Sequence, residues 1–541
     1  MKKYILVFLA ILGGILLSIG WPARGIPVFL FIGFVPLLFI EHYIAQNRHK
    51  FHRFSVFMYS YLTFFIWNLL TTWWIYYASF FGAAIAVVFN SLFMAMVFHI
   101  YHISKKHIYQ HKKGCFLLII FWLGFEYLHL HWELSWTWLT LGNGLARWHQ
   151  IIQWYEFTGV FGGSLWILLS NLLFFRILIS LFSGGTNDKK LFLRFTLLFF
   201  IWVLPVLFSF IMYNNYKEND EAVNIVIIQP NNDPYTEQYT LETTEIVDKI
   251  KRLSAKKITK GTDFILCPES VLQEGIWQDR IQHSQGLNMI REWLREKHPD
   301  LTAIIGGSSF RIHEEGEDHT IATRELYDGT YFEAFNTAFI IDTSMNVPIY
   351  HKSKFVVGVE HMPFKKLIKP IEKFAIDLGG TVGSLGVSSE RDAFVIPSAD
   401  NCKVSPMICY ESIYGEFVTG FVKNGAELLF IMTNDGWWEE TAGHRQHFIY
   451  AKLRAIECRR SIARSANTGI SCFINQRGDV IQQTAYWEED AIQNTINKND
   501  KITFYVKHGD ILGRIAYWSS GLLLLILIVA MLKKRYTKET I

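Results

Sequence analysis

The sequence predicts a chain in two parts, a polytopic α-helical membrane bundle of about eight spans and an α/β layered domain. Three observations predict it. The 541 residues are half hydrophobic and unusually aromatic, with 44 Phe, 24 Tyr and 18 Trp, and the mean hydropathy is positive, a composition that belongs to membrane proteins. Apolar runs long enough to cross a bilayer recur through the first part of the chain and once more near its end. Between the last two runs, from about 221 to 505, the composition becomes that of a globular domain large enough to bury its own core.

The apolar runs fall at about 4–20, 27–44, 54–77, 79–101, 115–131, 158–183, 191–213 and 512–532. Lys2 and Lys3 precede the first, but no small-x-small cleavage site follows, so it reads as an anchor and not a secretory signal. Orientation follows from the positive charge of the short loops. Lys2 and Lys3; Arg48, Lys50 and Arg53; Lys105, Lys106, Lys112 and Lys113; Lys189, Lys190 and Arg194; and Lys533, Lys534, Arg535 and Lys538 all land on one side when eight spans alternate. That side is expected to be cytoplasmic, which puts the large insert outside the cytoplasm. The expected division is therefore 1–220 membrane bundle, 221–505 extracytoplasmic domain and 506–541 last span with a basic tail. The aromatic stretch Ser135 to Asn143, running on to Gln153-Trp154-Tyr155-Glu156, reads as an interfacial segment. Glu126 and Glu156 near span ends and Asn171 within a span are intramembrane polar candidates, although an interhelical hydrogen bond explains Asn171 equally well.

Within the insert, short apolar runs at 223–229, 263–267, 302–306, 334–341, 404–409, 427–433, 462–466 and 469–475 read as buried strands. Helical patterns at 243–254, 286–297 and 447–459 lie between several of them, and strands alternating with helices make an α/β domain. A net charge of +4 with no single basic patch argues against a nucleic-acid partner. Six cysteines with no C-x-x-C spacing suggest no metal site. Three residues stand at strand ends: Glu269 after Phe264-Ile265-Leu266-Cys267-Pro268, Lys352 in Ile349-Tyr350-His351-Lys352, and Cys409 at the close of the strand from Val404. A thiol nucleophile needs a base, and acyl transfer needs positive charge or donors where the carbonyl oxygen becomes anionic. A carboxylate, an amine and a thiol at three strand ends would supply that set.

Cys267-Pro268-Glu269-Ser270, Tyr350-x-Lys352 with Glu360 eight residues later, Ile408-Cys409-Tyr410-Glu411, Thr433-Asn434-Asp435-Gly436-Trp437-Trp438, and Leu453 to Glu457 leading to Asn467-Thr468-Gly469-Ile470 together resemble the nitrilase superfamily. The eight-span layout and Gln153-Trp154-Tyr155-Glu156 with Gly159 and Gly163 extend the resemblance over the whole chain, to the membrane-anchored apolipoprotein N-acyltransferase family. The resemblance implies an αββα sandwich and a two-step exchange without cofactor, in which a phospholipid acylates the thiol and the thioester is passed to the α-amino group of a diacylglyceryl-cysteine on an apolipoprotein. It implies Glu269 as general base, Lys352 as oxyanion stabiliser and Cys409 as acyl carrier. The Tyr410 N–H would be a second oxyanion donor, Glu360 or Glu411 would orient the lysine or the acceptor amine, and Trp277, Trp437 and Trp438 would form a lid or interfacial anchor. A membrane-tethered amidase-type hydrolase would use the same three residues and release the acyl group to water. The stretch Phe355-Val356-Val357-Gly358-Val359-Glu360 departs from the family pattern, lacking its proline while keeping the glutamate register. Lys354, two residues past Lys352, is a competitor for its role.

Overall fold

The structure is a computed structural model that describes residues 2–111, 113–182, 188–357, 359–361 and 384–539. Lys112 and Gly358, both singled out above, lie outside them. The chain divides into two compact units, one of Met1–Tyr76, Phe80–Asn215 and His508–Ile541, the other of Tyr77–Ser79 and Tyr216–Lys507.

In the first unit all eight apolar stretches are helical over most of their length. Five are long and apolar enough to cross a membrane: Pro27–Gln46, Phe80–Tyr109, Tyr155–Phe182, Asp188–Asn215 and Phe504–Lys534. Length and composition thus support five of the eight expected spans among the described residues. Lys3–Ile19 and Leu117–His131 are apolar but shorter. Ser55–Thr72 carries Ser60, Thr63, Asn68, Thr71 and Thr72 on its buried face, where they donate to backbone carbonyls such as Phe64 O at 2.9 Å from Asn68. Such groups lower hydropathy while their donors stay hydrogen-bonded.

Two expectations about this unit change. The stretch expected at an interface is interior: Thr137 to Asn143 are all buried, Trp138 packs edge-on against Trp74 at 4.9 Å, and the chain continues as a 3-10 helix, Leu141–Ile151. Buried Glu126 explains how non-helical backbone is tolerated there, since its Oε1 accepts from Leu141 N at 2.8 Å and from Trp122 Nε1 at 3.0 Å. Lys105, counted above among the loop charges, is buried and paired with Glu41 at 2.6 Å. Asn171 does make the interhelical bonds expected of it, accepting from Phe34 N at 2.8 Å and donating to Leu30 O at 2.8 Å.

The second unit holds two sheets. β1 (Ala222–Gln229), β2 (Phe264–Leu266), β3 (Leu272–Trp277), β4 (Thr302–Ile312), β5 (Arg324–Glu325), β6 (Tyr331–Ile341) and β7 (Ile349–His351) belong to the first. β8 (Phe394–Ile396), β9 (Cys402–Ile408), β10 (Leu428–Thr433), β11 (Ser461–Ala466), β12 (Cys472–Ile474) and β13 (Val480–Gln483) form the second, and β14 (Asp490–Asn497) returns to pair antiparallel with β1. The first sheet runs β14-β1-β2-β4-β6-β5, with β3 also on β4 and β7 on β6; the second runs β13-β12-β11-β10-β9-β8.

Alternation along the strands builds the layers. Val226, Ile228, Ile265, Ala303 and Ile305 face the helices Thr243–Ala255 and Gln285–Lys297, whose Ile246, Ile250, Leu287, Ile290 and Leu294 complete one core. Phe264 points the other way and meets Phe430 of the second sheet at 5.4 Å, and Ser465 Oγ donates to Ile228 O across the same gap. Helices Gly415–Lys423 and Ala442–Cys458 pack with the second sheet, giving the αββα sandwich. β2 runs parallel to β1 and β4, and β10 runs parallel to β9 and β11. The ends of such parallel strands are where α/β folds gather functional side chains.

Candidate active site

Cys409 follows β9 directly and opens a short 3-10 turn, Cys409–Ile413. Its φ is +52°, a left-handed backbone that costs a non-glycine residue on the order of 1–3 kcal/mol and so has to be held by its surroundings. Glu411 does much of the holding. Its Oε2 accepts from Ile408 N at 2.7 Å, and its Oε1 accepts from Tyr350 OH at 2.6 Å and Ser353 N at 2.7 Å. One buried carboxylate therefore ties the cysteine turn to the segment on either side of Lys352. That differs from the role expected of Glu411, which makes no hydrogen bond to the lysine.

Lys352 lies beyond the end of β7, with its backbone N–H donating to Asn336 O at 2.9 Å. Its buried ammonium lies 2.9 Å from Glu269 Oε1 and 2.7 Å from Glu360 Oε1. Burial pulls the lysine down, but the charges of Glu269 and Glu360 outweigh it and hold the amine well above its usual value. Of Glu360 and Glu411, Glu360 is the one paired with Lys352. Its Oε2 also accepts from Val356 N at 2.9 Å, closing the loop in which the sequence departs from the family pattern. Lys354 does not compete: the strand ends at His351, and the Lys354 ammonium sits over the Tyr414 and Phe417 rings, 5.1 and 5.7 Å from their centroids.

Glu269 follows β2 after Cys267 and Pro268 and is buried; besides Lys352 it accepts from Asn336 Nδ2 at 2.7 Å. The next residue, Ser270, has φ +54°, so both the carboxylate and the thiol stand beside left-handed backbone. Burial and the charge of Glu269 push the Cys409 thiol up, against the pull of Lys352. A neutral thiol needs a base within reach to become a nucleophile. All six cysteines are unpaired, so Cys409 is not locked in a disulfide with Cys402 or Cys458.

Glu269, Lys352, Glu360 and Cys409 share the wall of one cavity of about 370 Å³, closed on its apolar sides by residues such as Val356, Phe310 and Phe335. Trp437 and Trp438 are also in this wall, Trp437 edge-on to Tyr235 at 5.2 Å. Trp277 is outside it, packed on Phe310 at 5.2 Å and Phe332 at 5.7 Å. The Tyr410 ring is buried edge-on to Tyr414 at 5.3 Å. Asn336 went unrecognised in the sequence, and Tyr350 was singled out only as part of the motif before Lys352. Asn336 lies on β6, which the β2-β4-β6 order sets near the end of β2 and Glu269, and Tyr350 lies on β7, from which it reaches Glu411 of the cysteine turn.

Glu411 gives a pH-dependent prediction. Burial pushes its carboxyl up to about 7, against the hydrogen bonds from Tyr350, Ile408 and Ser353. A carboxyl raised on folding stabilises the fold fully below its unfolded value near 4.5, and that contribution is lost as pH rises through about 7. Wild type is therefore expected to lose melting temperature relative to Glu411→Gln between pH 4.5 and 7.5, read by thermal unfolding in detergent. A gap that does not change with pH would count against this assignment.

The chain is similar to known proteins. Residues 225–501 fit the family model described as carbon-nitrogen hydrolase, and residues 13–173 fit the apolipoprotein N-acyltransferase N-terminal domain. The apolipoprotein N-acyltransferase of Chlorobaculum tepidum is 27% identical over 98% of this chain and 97% of its own. That of Geobacter metallireducens is 25% identical over 93% and 91%. A solved amidase from Nesterenkonia sp. covers 54% of this chain and 95% of its own at 16% identity, with a TM-score of 0.35. The chain belongs to the carbon-nitrogen hydrolase family, in its apolipoprotein N-acyltransferase branch. It is a membrane acyltransferase.

Proposed function

We propose that the enzyme transfers an acyl chain from a membrane phospholipid to the α-amino group of the N-terminal diacylglyceryl-cysteine of an apolipoprotein, through a thioester on Cys409. The observation that carries this reading is the meeting of Glu269, Lys352 and Cys409 at one cavity in a chain that matches both family models. In the first half-reaction Glu269 takes the thiol proton, Sγ bonds to the ester carbonyl carbon, and Lys352 stands against the oxyanion. Collapse breaks the C–O bond, and the lysophospholipid leaves with the proton from Glu269. In the second, the amine attacks the thioester, Glu269 removes its proton, and the C–S bond breaks to restore the thiol and release the N-acylated lipoprotein.

A thioester persists long enough to await its acceptor yet reacts readily with an amine, so no cofactor or ATP enters. Water has to be kept from it, a role that suits the apolar wall and the Trp437-Trp438 pair. The loop charges favour an extracytoplasmic catalytic domain on a bacterial inner membrane, which would receive both lipid substrates from the bilayer. Purified enzyme given a phospholipid and a diacylated lipopeptide is expected to yield lysophospholipid and N-acylated peptide in equal amounts by mass spectrometry. Release of free fatty acid with no peptide product would replace this reading with that of a hydrolase.

A further inference from the structure

Behind the cavity lies a buried polar chain that the reaction above does not use. Asp435, just past β10, is fully buried. Its Oδ2 is 2.5 Å from Arg464 of β11, and its Oδ1 is 2.9 Å from His447 Nδ1. Thr433 Oγ1 also donates to Oδ1 at 2.9 Å. The far side of the His447 ring faces the nucleophile's own backbone, with Nε2 3.2 Å from Cys409 O and 3.1 Å from Ser412 Oγ, while Ser412 Oγ donates to Cys409 O at 2.7 Å. Burial alone would raise the Asp435 carboxyl, but Arg464 and His447 hold it well below its usual range, so it is an anion anchoring the ring. Burying such a set is costly unless it fixes something.

What it fixes follows from the geometry of one peptide bond. The Cys409 carbonyl and the Tyr410 N–H belong to the same planar trans unit and point in opposite directions. Whatever clamps the oxygen therefore sets the direction of the N–H. Left to itself, a peptide following a residue at φ +52° would relax toward common backbone conformations.

We infer that Arg464, Asp435 and His447, with Ser412, form a relay that holds the Cys409 carbonyl and thereby aims the Tyr410 N–H at the oxyanion of the acyl-transfer intermediate. These are positioning residues, and the inference rests on the acyl-transfer reading above. Donation from Ser412 Oγ to the carbonyl also polarises the peptide and strengthens its N–H as a donor.

The test uses two reactions of the same thiol in full-length detergent-solubilised enzyme. Thioester formation from a phospholipid passes through an oxyanion, whereas alkylation of Cys409 by iodoacetamide does not. His447→Ala is expected to slow thioester formation about 100-fold, the scale of losing an oxyanion donor, with the phospholipid KM and the alkylation rate each within about threefold of wild type. His447→Gln, whose amide can still donate toward the carbonyl, is expected to recover at least tenfold of the loss. Equal falls in acylation and alkylation would overturn the inference in favour of a collapsed cysteine turn, and unchanged acylation would overturn it outright. If His447→Ala does not fold, Ser412→Ala carries the same comparison with the same split expected. Absence of any thioester on the wild-type enzyme would instead strike the parent reading.

Discussion

Cys409→Ala is expected to abolish acyl transfer completely, because it removes the only atom proposed to carry the acyl group. Intact-mass spectra of wild type incubated with phospholipid should show a species heavier by one acyl chain, and the variant should show none; N-acylated lipopeptide should fall below detection. The substitution removes one sulfur from a buried site at a strand end, so its effect on the fold is small beside its effect on chemistry. The informative comparison is Cys409→Ser. A hydroxyl is a far weaker nucleophile than a thiol, so an oxygen ester should accumulate at most in trace. Wild-type transfer rates in either variant would remove Cys409 from the mechanism. A normal lipid requirement with no mass shift on wild type would argue for direct transfer without a covalent intermediate.

Much of this site was legible in the chain because its parts are local. The strand-to-turn transition at Cys409 shows as an apolar run meeting a polar turn, and Pro268 marks the break before Glu269. Helix stretches also read well, since amphipathic periodicity in Thr243–Ala255 and Gln285–Lys297 reflects a single buried stripe. What sequence could not give was partnership across long separations. Asn336 reaches Glu269 only once β2, β4 and β6 lie side by side, and Tyr350 reaches Glu411 only once the two sheets stack. His447 looked like one of many polar residues on a helix, and nothing local marks it as facing Cys409. The edge strands β5, β8 and β13 are two to four residues long and too short to show a period. The stretch after Ser135 misled for a different reason, because aromatic and polar residues at a membrane interface and in a buried non-helical loop have the same composition; only the carboxylate of Glu126 from another helix separates the two.

Lys352→Met should be nearly as severe as loss of the thiol, and it has a stability cost that the cysteine variant lacks. The ammonium stands between two carboxylates, 2.9 Å from Glu269 and 2.7 Å from Glu360. Methionine keeps most of the volume and removes the charge. Acylation is then expected to fall by roughly 10³-fold, since the developing oxyanion loses a full positive charge in a place that excludes water. Glu269 and Glu360 are then left as two carboxyl groups with no cation between them. Lys352→Met is therefore expected to melt below wild type, by up to the roughly 3–5 kcal/mol typical of breaking a buried pair. Lys352→Arg separates the two roles of the residue. It keeps the charge and so should close most of the stability gap, but its planar fork cannot place one donor where the lysine nitrogen stands, and acylation should remain depressed by at least 100-fold. If Lys352→Arg restored both stability and activity, the cation would be acting only as a counter-ion, and the oxyanion role would pass to the backbone donor at Tyr410 alone.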